Sequence, residues 1–198
     1  MSRLAIALLT MGLTFASIDA QAQGVKVCSG FDFLTCPNAV VANKDAFVRV
    51  EFAKPLAEVF QETFGQARVT SGKFSFVVKQ APDAAPLVSY ESTLLVSRYE
   101  HINTLDLTLQ ADDQTLKDLA EGTLADPALR DLWLKQKKKL GDKQRWQVFV
   151  YFALPEGDGK LVAQGEFDYA LKAASIPAKP NQAAAAERAK PAETNYLK

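Results

Sequence analysis

Six stretches of this chain have the residue pattern or the composition of β-strands. They lie at 47–52, 73–79, 87–99, 105–109, 145–154 and 160–171. Within 47–52, for example, the apolar residues Val48, Val50 and Phe52 alternate with charged ones. Side chains point alternately to the two faces of a strand, so this pattern predicts one buried and one solvated face. The stretch 145–154 is apolar on both faces, which predicts a strand that is covered on both sides.

Three further segments predict α-helices between these strands. Apolar residues at helical spacing follow Pro55, and the pattern ends at Gly65. A second helix is expected after Asp112, because a carboxylate there meets the free amide groups of a helix N-terminus. A third is expected to start near Asp126 and to end before Gly141.

Turn residues connect these elements into a predicted fold. The glycine-rich residues 155–159 predict a hairpin between the last two strands. A second hairpin is predicted between 87–99 and 105–109, and 25–43 is expected to be irregular. The order of elements predicts an α+β fold, with a mostly antiparallel sheet of about six strands and helices packed on one face. A β-sandwich with helical insertions is the alternative.

The N-terminus has the features of a cleavable signal peptide. Arg3 precedes an apolar run, and the small residues Ala20 and Ala22 suit a signal peptidase. We expect cleavage after Ala22, with Ala20 as the alternative. An uncleaved anchor is disfavoured because a spanning helix needs about 20 apolar residues, and polar residues interrupt this run. Residues 1–22 are therefore interpreted as the leader of a periplasmic or secreted protein.

The composition changes again near the C-terminus. Residues 23–172 are long enough and apolar enough to form one globular domain with its own core. Residues 173–198 are rich in Ala, Pro and Lys and lack core-forming residues, so we expect a disordered tail. No run after the leader is long and apolar enough to predict a transmembrane segment.

Cys28 and Cys36 are the only cysteines of the chain. In an oxidising compartment their short separation predicts a disulfide, for which chain entropy gives about 2–3 kcal/mol. A redox-active pair is the alternative, but the spacing is not Cys-x-x-Cys. A metal site is disfavoured because the single histidine, His101, lies far away in sequence. We therefore expect neither a metal nor a cofactor.

The most marked charge run lies at 135–145. Candidate binding residues in and beside it are Lys135, Lys137, Lys138, Lys139, Lys143, Arg145 and Trp146. This cluster suits an anionic membrane surface or an acidic partner. The alternative is structural, because basic residues stabilise a helix C-terminus and Trp146 has the periodicity of a core residue. The formal net charge of the whole chain is zero, which argues against a nucleic-acid binder.

Signatures of catalysis are weak in this sequence. It contains no Gly-x-Ser-x-Gly elbow and no Ser-x-x-Lys dyad. Glu166 and Asp168 share one face of a predicted strand, and His101 lies at a predicted turn. Glycosidase chemistry needs two carboxyl groups that face each other across a cleft, which neighbours on one strand do not establish.

Three classes of function follow from these observations. The leading expectation is an exported, non-enzymatic binding or accessory module for an envelope protein or an apolar or anionic ligand. Its predicted surface is 137–146, or a cavity between sheet and helices. One alternative is a periplasmic hydrolase that uses acidic residues. The other is an assembly protein that acts through an exposed sheet edge.

Overall fold

The computed structural model describes residues 22–119 and 123–172. Within these residues the fold is mixed α/β and mostly sheet, with nine strands in two sheets and three short α-helices. The strands are β1 (Ala22–Cys28), β2 (Ala39–Val41), β3 (Ala46–Phe52), β4 (Gly72–Lys79), β5 (Val88–Leu94), β6 (Thr104–Gln110), β7 (Thr123–Leu124), β8 (Gln144–Ala153) and β9 (Lys160–Ala170). The helices are α1 (Leu56–Phe64), α2 (Asp113–Lys117) and α3 (Pro127–Gln136), with 3₁₀ turns at Val96–Tyr99 and Lys137–Lys139.

The strands form one sheet of four and one of five. The four-stranded sheet has the order β1-β3-β6-β7, and the five-stranded sheet has the order β2-β9-β8-β4-β5. Pairing is antiparallel except for β2 with β9 and β6 with β7, which run parallel. The fold is therefore mixed rather than purely antiparallel, and it has more strands than the six that the sequence predicts.

Each of the six predicted strands overlaps an observed one, and the hairpin of β8 and β9 is present. The predicted hairpin between 87–99 and 105–109 is wrong. Strand β5 pairs with β4, whereas β6 pairs with β3 in the other sheet. The 3₁₀ turn at Val96–Tyr99 separates them, and its buried Val96 and Tyr99 side chains fix the chain where it passes between sheets.

Both sheets contribute side chains to one apolar core. The ring centroids of Phe52 in β3 and Phe152 in β8 lie 5.7 Å apart. Helix α1 adds Phe60, whose ring stacks on Phe152 at 4.3 Å. Gly65 ends this helix in the left-handed conformation, with φ 65°, as the sequence predicts.

Strand β1 of one sheet lies close to β9 of the other. A Cβ atom on Gly165 would lie 2.8 Å from the carbonyl oxygen of Val25 and 2.9 Å from the Val25 Cβ. Real Cβ atoms essentially never come this close to their neighbours. Only glycine at position 165 therefore allows the backbones of β1 and β9 to lie at this distance.

Helix α3 contacts β6 of one sheet and β5 of the other. Leu129 and Trp133 are its buried residues, and the Trp133 ring lies 6.4 Å from that of Phe167. Asp126 caps the helix, because its Oδ1 accepts a hydrogen bond from the amide of Ala128 at 2.8 Å. The predicted start of this helix at Asp126 is thus confirmed.

The predicted leader and tail lie almost wholly beyond this description. Residues 1–21 of the leader and the whole predicted tail, 173–198, are outside the described residues. None of the helices in the described ranges has the length and hydropathy to cross a membrane.

Candidate functional site

The residues of the basic segment lie in different environments. Trp146 is buried in the core, as its periodicity indicates. Lys137 is partly buried, and its Nζ donates hydrogen bonds to the carbonyl oxygen of Ala42 at 2.9 Å and to Oε1 of Gln110 at 2.6 Å. Burial, and secondarily the neighbouring charge of Lys138, lowers the pKa of Lys137. Lys137 therefore has hydrogen-bond partners within the fold, and Trp146 packs in its core.

The other residues of the segment are exposed. Lys135, Lys138, Lys139 and Lys143 have solvent-exposed side chains around the end of α3 and the turn before β8. Arg145 is exposed as well, but its Nε donates to Oδ1 of Asp168 at 3.1 Å and its Nη1 lies 3.6 Å from Oε2 of Glu166. Of the predicted cluster, Trp146 thus lies in the core, Lys137 and Arg145 have partners within the fold, and four lysines are exposed.

The acidic residues Glu166 and Asp168 share Arg145 rather than face each other across a cleft. Glu166 also accepts a hydrogen bond from Nε2 of Gln147 at 3.3 Å. A groove of about 340 Å³ lies beside them, with Phe149 and Pro82 among its lining residues. This arrangement cross-links β8 and β9 on the solvent face of the sheet.

The disulfide between Cys28 and Cys36 is present, with Cα atoms 5.9 Å apart. It closes residues 28–36, called the disulfide loop here, at the end of β1. Gly30 within the loop has φ 92°, a conformation that favours glycine. Both cysteine side chains are buried and pack with Phe33 and Phe47 in a small apolar cluster on the outer side of the four-stranded sheet.

Phe33 anchors the disulfide loop to the sheet. Its side chain is only 2% exposed. The guanidinium carbon of Arg49 lies 4.3 Å from the centroid of its ring, and Nζ of Lys26 donates to its carbonyl oxygen at 3.1 Å. Arg49 is itself held by Asp106, through bonds of 2.8 and 2.7 Å. Side chains of three strands therefore fix the position of the loop.

Asp32 organises the turn inside the disulfide loop. Its Oδ1 accepts hydrogen bonds from the amides of Leu34 at 3.2 Å and Thr35 at 3.3 Å, and the Thr35 hydroxyl donates to its Oδ2. The bond from the Thr35 hydroxyl, followed by the bond from the Thr35 amide, lowers the pKa of the Asp32 carboxyl. The carboxylate therefore stays ionised over the neutral pH range.

Leu34 projects from this fixed loop into solvent. Its side chain is 93% exposed, the highest value among the exposed large apolar residues of the described ranges. Phe31 is 37% exposed, and its ring also packs on Phe47, with centroids 3.9 Å apart. Phe31 and Leu34 form the loop tip, an apolar surface on a backbone fixed at both ends.

Sequence reasoning treated the cysteine pair as a structural staple and missed the loop tip. A usable signal was present, because Phe31, Phe33 and Leu34 are three large apolar residues within one short disulfide-closed segment. One such residue is enough to anchor the loop. Phe31 also packs, on Phe47, so Leu34 is the loop residue whose apolar surface the fold does not use for itself.

Fold and site together define a disulfide-bonded α/β protein with an apolar tip. Among the described residues no group of three or more His, Cys, Asp or Glu side chains is placed to hold a metal ion. No family model matches the chain, and neither the curated proteins nor the solved structures contain a match to it.

Proposed function

We propose that this protein is an exported, non-enzymatic binding module that recognises a partner protein through its disulfide loop. The observation that carries the proposal is the contrast between Phe33 and Leu34, which are 2% and 93% exposed on the same short loop. The disulfide, the Asp32 turn and the Phe33 anchor all hold the backbone that displays Leu34. Rigid display of an apolar residue is suited to recognition.

Energetics favour this use of the loop tip. Full burial of a leucine side chain contributes about 1.5–3 kcal/mol relative to leaving it exposed. Ordering a flexible loop on binding would offset part of that gain, and a loop that is already fixed avoids the cost. Leu34 can therefore contribute binding free energy without a large ordering cost.

The chemistry of the disulfide loop points to a protein pocket rather than a membrane. Asp32 is the only charged residue within 28–36, and its carboxylate is held in the ionised form. A negative charge beside the loop tip is repelled by anionic lipid headgroups. The partner we infer has an apolar pocket for Leu34, with a polar or positively charged rim.

Location and fold form part of the same proposal. The leader pattern of residues 1–22 and the disulfide both suit a periplasmic or secreted protein, because disulfides persist in oxidising compartments. We also infer that the two sheets pack face to face with α1 and α3 at their margins. The contact between Phe52 and Phe152 supports this arrangement.

Other functions that the sequence allows have less support. A small-ligand cavity between sheets and helices is disfavoured because fully buried side chains such as Phe60 and Trp133 occupy these junctions. A hydrolase is disfavoured because Glu166 and Asp168 are paired with Arg145. Assembly through a sheet edge has less support because two of the four edge strands, β2 and β7, have only three and two residues, and the other two, β1 and β5, contact β9 and α3.

Site-specific photo-crosslinking in the producing cell tests the proposal. A photoreactive amino acid replaces Leu34 in one variant and Leu95 in a control, because Leu95 is also exposed, at 47%, and follows β5, an edge strand of the other sheet. We expect position 34 to give a discrete covalent adduct that mass spectrometry identifies as one protein. Position 95 should not give this adduct.

The result that contradicts the proposal is equally definite. If position 34 gives no adduct, or if both positions give the same set of adducts, the loop tip is not a specific binding element. Crosslinking of position 34 to lipid alone would assign the tip to a membrane surface instead.

A further inference from the structure

Three segments that are far apart in sequence meet at one end of the fold. Nζ of Lys137 donates to the carbonyl oxygen of Ala42 at 2.9 Å, and the amide of Ala42 donates to the carbonyl oxygen of Ala170 at 2.9 Å. The amide of Leu171 donates to Oδ1 of Asp142 at 2.8 Å. These hydrogen bonds join three segments, 42–45, 135–145 and 168–172.

Exposed lysines lie on all three segments, each within two residues of one of these hydrogen bonds. We call them the lysine surface: Lys44, Lys135, Lys138, Lys139, Lys143 and Lys172. None of them forms an ion pair with any described residue. Leu171, an apolar residue that is 51% exposed, lies at the same junction.

This end of the fold is positively charged, although the formal net charge of the whole chain is zero. The three segments hold eight basic and three acidic residues. Each of the acidic residues, Asp45, Asp142 and Asp168, already accepts a hydrogen bond from another residue of the fold. Residues 173–198, which follow the last segment, hold four basic and two acidic residues and so do not supply neutralising charge. A one-sided charge of this kind attracts anionic partners.

Lys143 occupies a turn position that is unusual for lysine. Its φ is 58°, in the left-handed region, where glycine or asparagine is more favourable. Stability alone therefore does not account for lysine at this position.

We propose that the lysine surface attaches the protein to an anionic lipid bilayer, with Leu171 in the headgroup region. Lysines close to an anionic membrane are attracted to it, and their flexible stems adapt to a surface that has no fixed shape. An acidic protein is a less suitable occupant, because lysine is depleted in protein–protein interfaces and arginine is enriched. The arginine of this region, Arg145, is already paired with Asp168 and Glu166. The disulfide loop takes no part in this attachment, which is therefore separate from the proposed function.

Flotation with lipid vesicles tests the attachment, with protein purified from the producing cell. One set of vesicles contains equal parts of phosphatidylglycerol and phosphatidylcholine, and the other contains phosphatidylcholine alone. We expect binding to the anionic vesicles that sodium chloride weakens, because salt screens exposed charges. Binding to phosphatidylcholine measures any attraction that does not depend on charge.

Two triple variants that lose the same charge separate the lysine surface from overall charge. The first changes three residues of the lysine surface, with asparagine at the position of positive φ: Lys138→Gln, Lys139→Gln and Lys143→Asn. The control changes three exposed basic residues around α1, at the other end of β3: Lys54→Gln, Arg68→Gln and Arg98→Gln. Each lysine near a membrane surface contributes about fivefold to binding, so the first variant should bind anionic vesicles about 100-fold more weakly. The control should bind like the wild type, because salt screens charges that lie far from the bilayer.

A single variant tests the apolar part of the surface. Leu171→Ser should weaken binding to the anionic vesicles severalfold at low and at high salt, because it removes apolar contact with lipid rather than charge. Unchanged binding of this variant would overturn the placement of Leu171 in the headgroup region.

The whole proposal is overturned if the wild type binds anionic vesicles no better than phosphatidylcholine vesicles. It is also overturned if the two triple variants lose binding equally, because the attraction would then come from overall charge. Circular dichroism checks that each variant is folded, which we expect because all the changed side chains are exposed. If a variant does not fold, the wild type still decides the outcome through its preference for anionic vesicles and the effect of salt.

Discussion

At the scale of single residues, Phe33 and Leu34 are neighbours in the chain with opposite roles. Phe33 packs under Arg49 and is buried, whereas Leu34 lies in solvent. The sequence could not distinguish them, because an irregular loop has no periodicity that assigns a residue to one face. The distinction arises from Arg49 and Asp106, which are far from the loop in sequence.

Alanine substitutions should separate these two roles. We expect Phe33→Ala to lower the free energy of unfolding by about 3 kcal/mol, because it removes a buried aromatic ring. Leu34→Ala should change it by no more than about 0.5 kcal/mol, because the side chain is exposed. Urea denaturation measures both values. Equal losses in the two variants would show that Leu34 is packed and not displayed.

A second residue-scale prediction concerns Tyr90. Burial, followed by its hydrogen bond to Asp126, raises the pKa of Tyr90 to about 12. The unfolded chain releases this proton near pH 10, so Tyr90 favours folding fully below pH 10 and progressively less as the pH rises toward 12. Tyr90→Phe should cost about 1 kcal/mol at pH 7, where it removes a hydrogen bond.

Unfolding free energies of the wild type and Tyr90→Phe, compared from pH 7 to 11, check this prediction. Other groups titrate in both proteins and cancel in the difference. The advantage of the wild type should shrink as the pH rises above 10. A difference that stays constant with pH would contradict the raised pKa.

At the scale of secondary structure elements, the periodic strands and helices could be predicted, but their partners could not. The alternation of apolar and polar residues in β3 and β4 is visible from nearby residues alone. The same holds for the turn that joins β8 and β9. The short strand β2 has just three residues, which is too few for a pattern. Strand β1 begins at Ala22, the last residue of the predicted leader, and ends at Cys28, so most of its Val25 and Val27 alternation falls in the segment 25–43 that the sequence predicts to be irregular.

At the candidate site, too, the sequence predicts the basic segment but not the partners of its residues. Its residues are adjacent in sequence, but Lys137 binds Ala42 and Gln110, which lie 95 and 27 residues away. Arg145 binds Asp168 across the β8–β9 pair. The sequence shows which residues are basic. Contacts with residues far away in sequence determine which of them remain free to bind a partner.

Gly165 gives an element-scale prediction for the contact of β1 with β9. Gly165→Ala should lower the free energy of unfolding by about 1–3 kcal/mol, because the new Cβ would overlap the backbone of Val25. Gly24→Ala is the matched control, since a Cβ there meets nothing within 4 Å. Urea denaturation of both variants measures the difference. Equal stability in the two would mean that β1 and β9 are further apart.

At the scale of the whole molecule, one core serves both sheets, and the disulfide loop lies outside it. The main core and the small cluster of Cys28, Phe33, Cys36 and Phe47 are separate groups of buried residues. The loop can therefore be altered without removing the main core. The two sheets should therefore not depend on the loop for their formation.

Removal of the disulfide tests that separation. The double variant Cys28→Ser with Cys36→Ser should lower the free energy of unfolding by about 2–3 kcal/mol, because the short loop gains entropy in the unfolded chain. The two sheets should persist, as seen in amide hydrogen exchange of β4 and β8. Loss of protection throughout both sheets would contradict the independence of the loop.

Affinity for the crosslinked partner tests the central claim most directly. Isothermal titration calorimetry would give the dissociation constants of the wild type, Leu34→Ser and the control Leu95→Ser. We predict that Leu34→Ser raises the Kd about tenfold or more, while Leu95→Ser leaves it unchanged. Equal Kd values for all three proteins would show that the loop tip does not carry recognition.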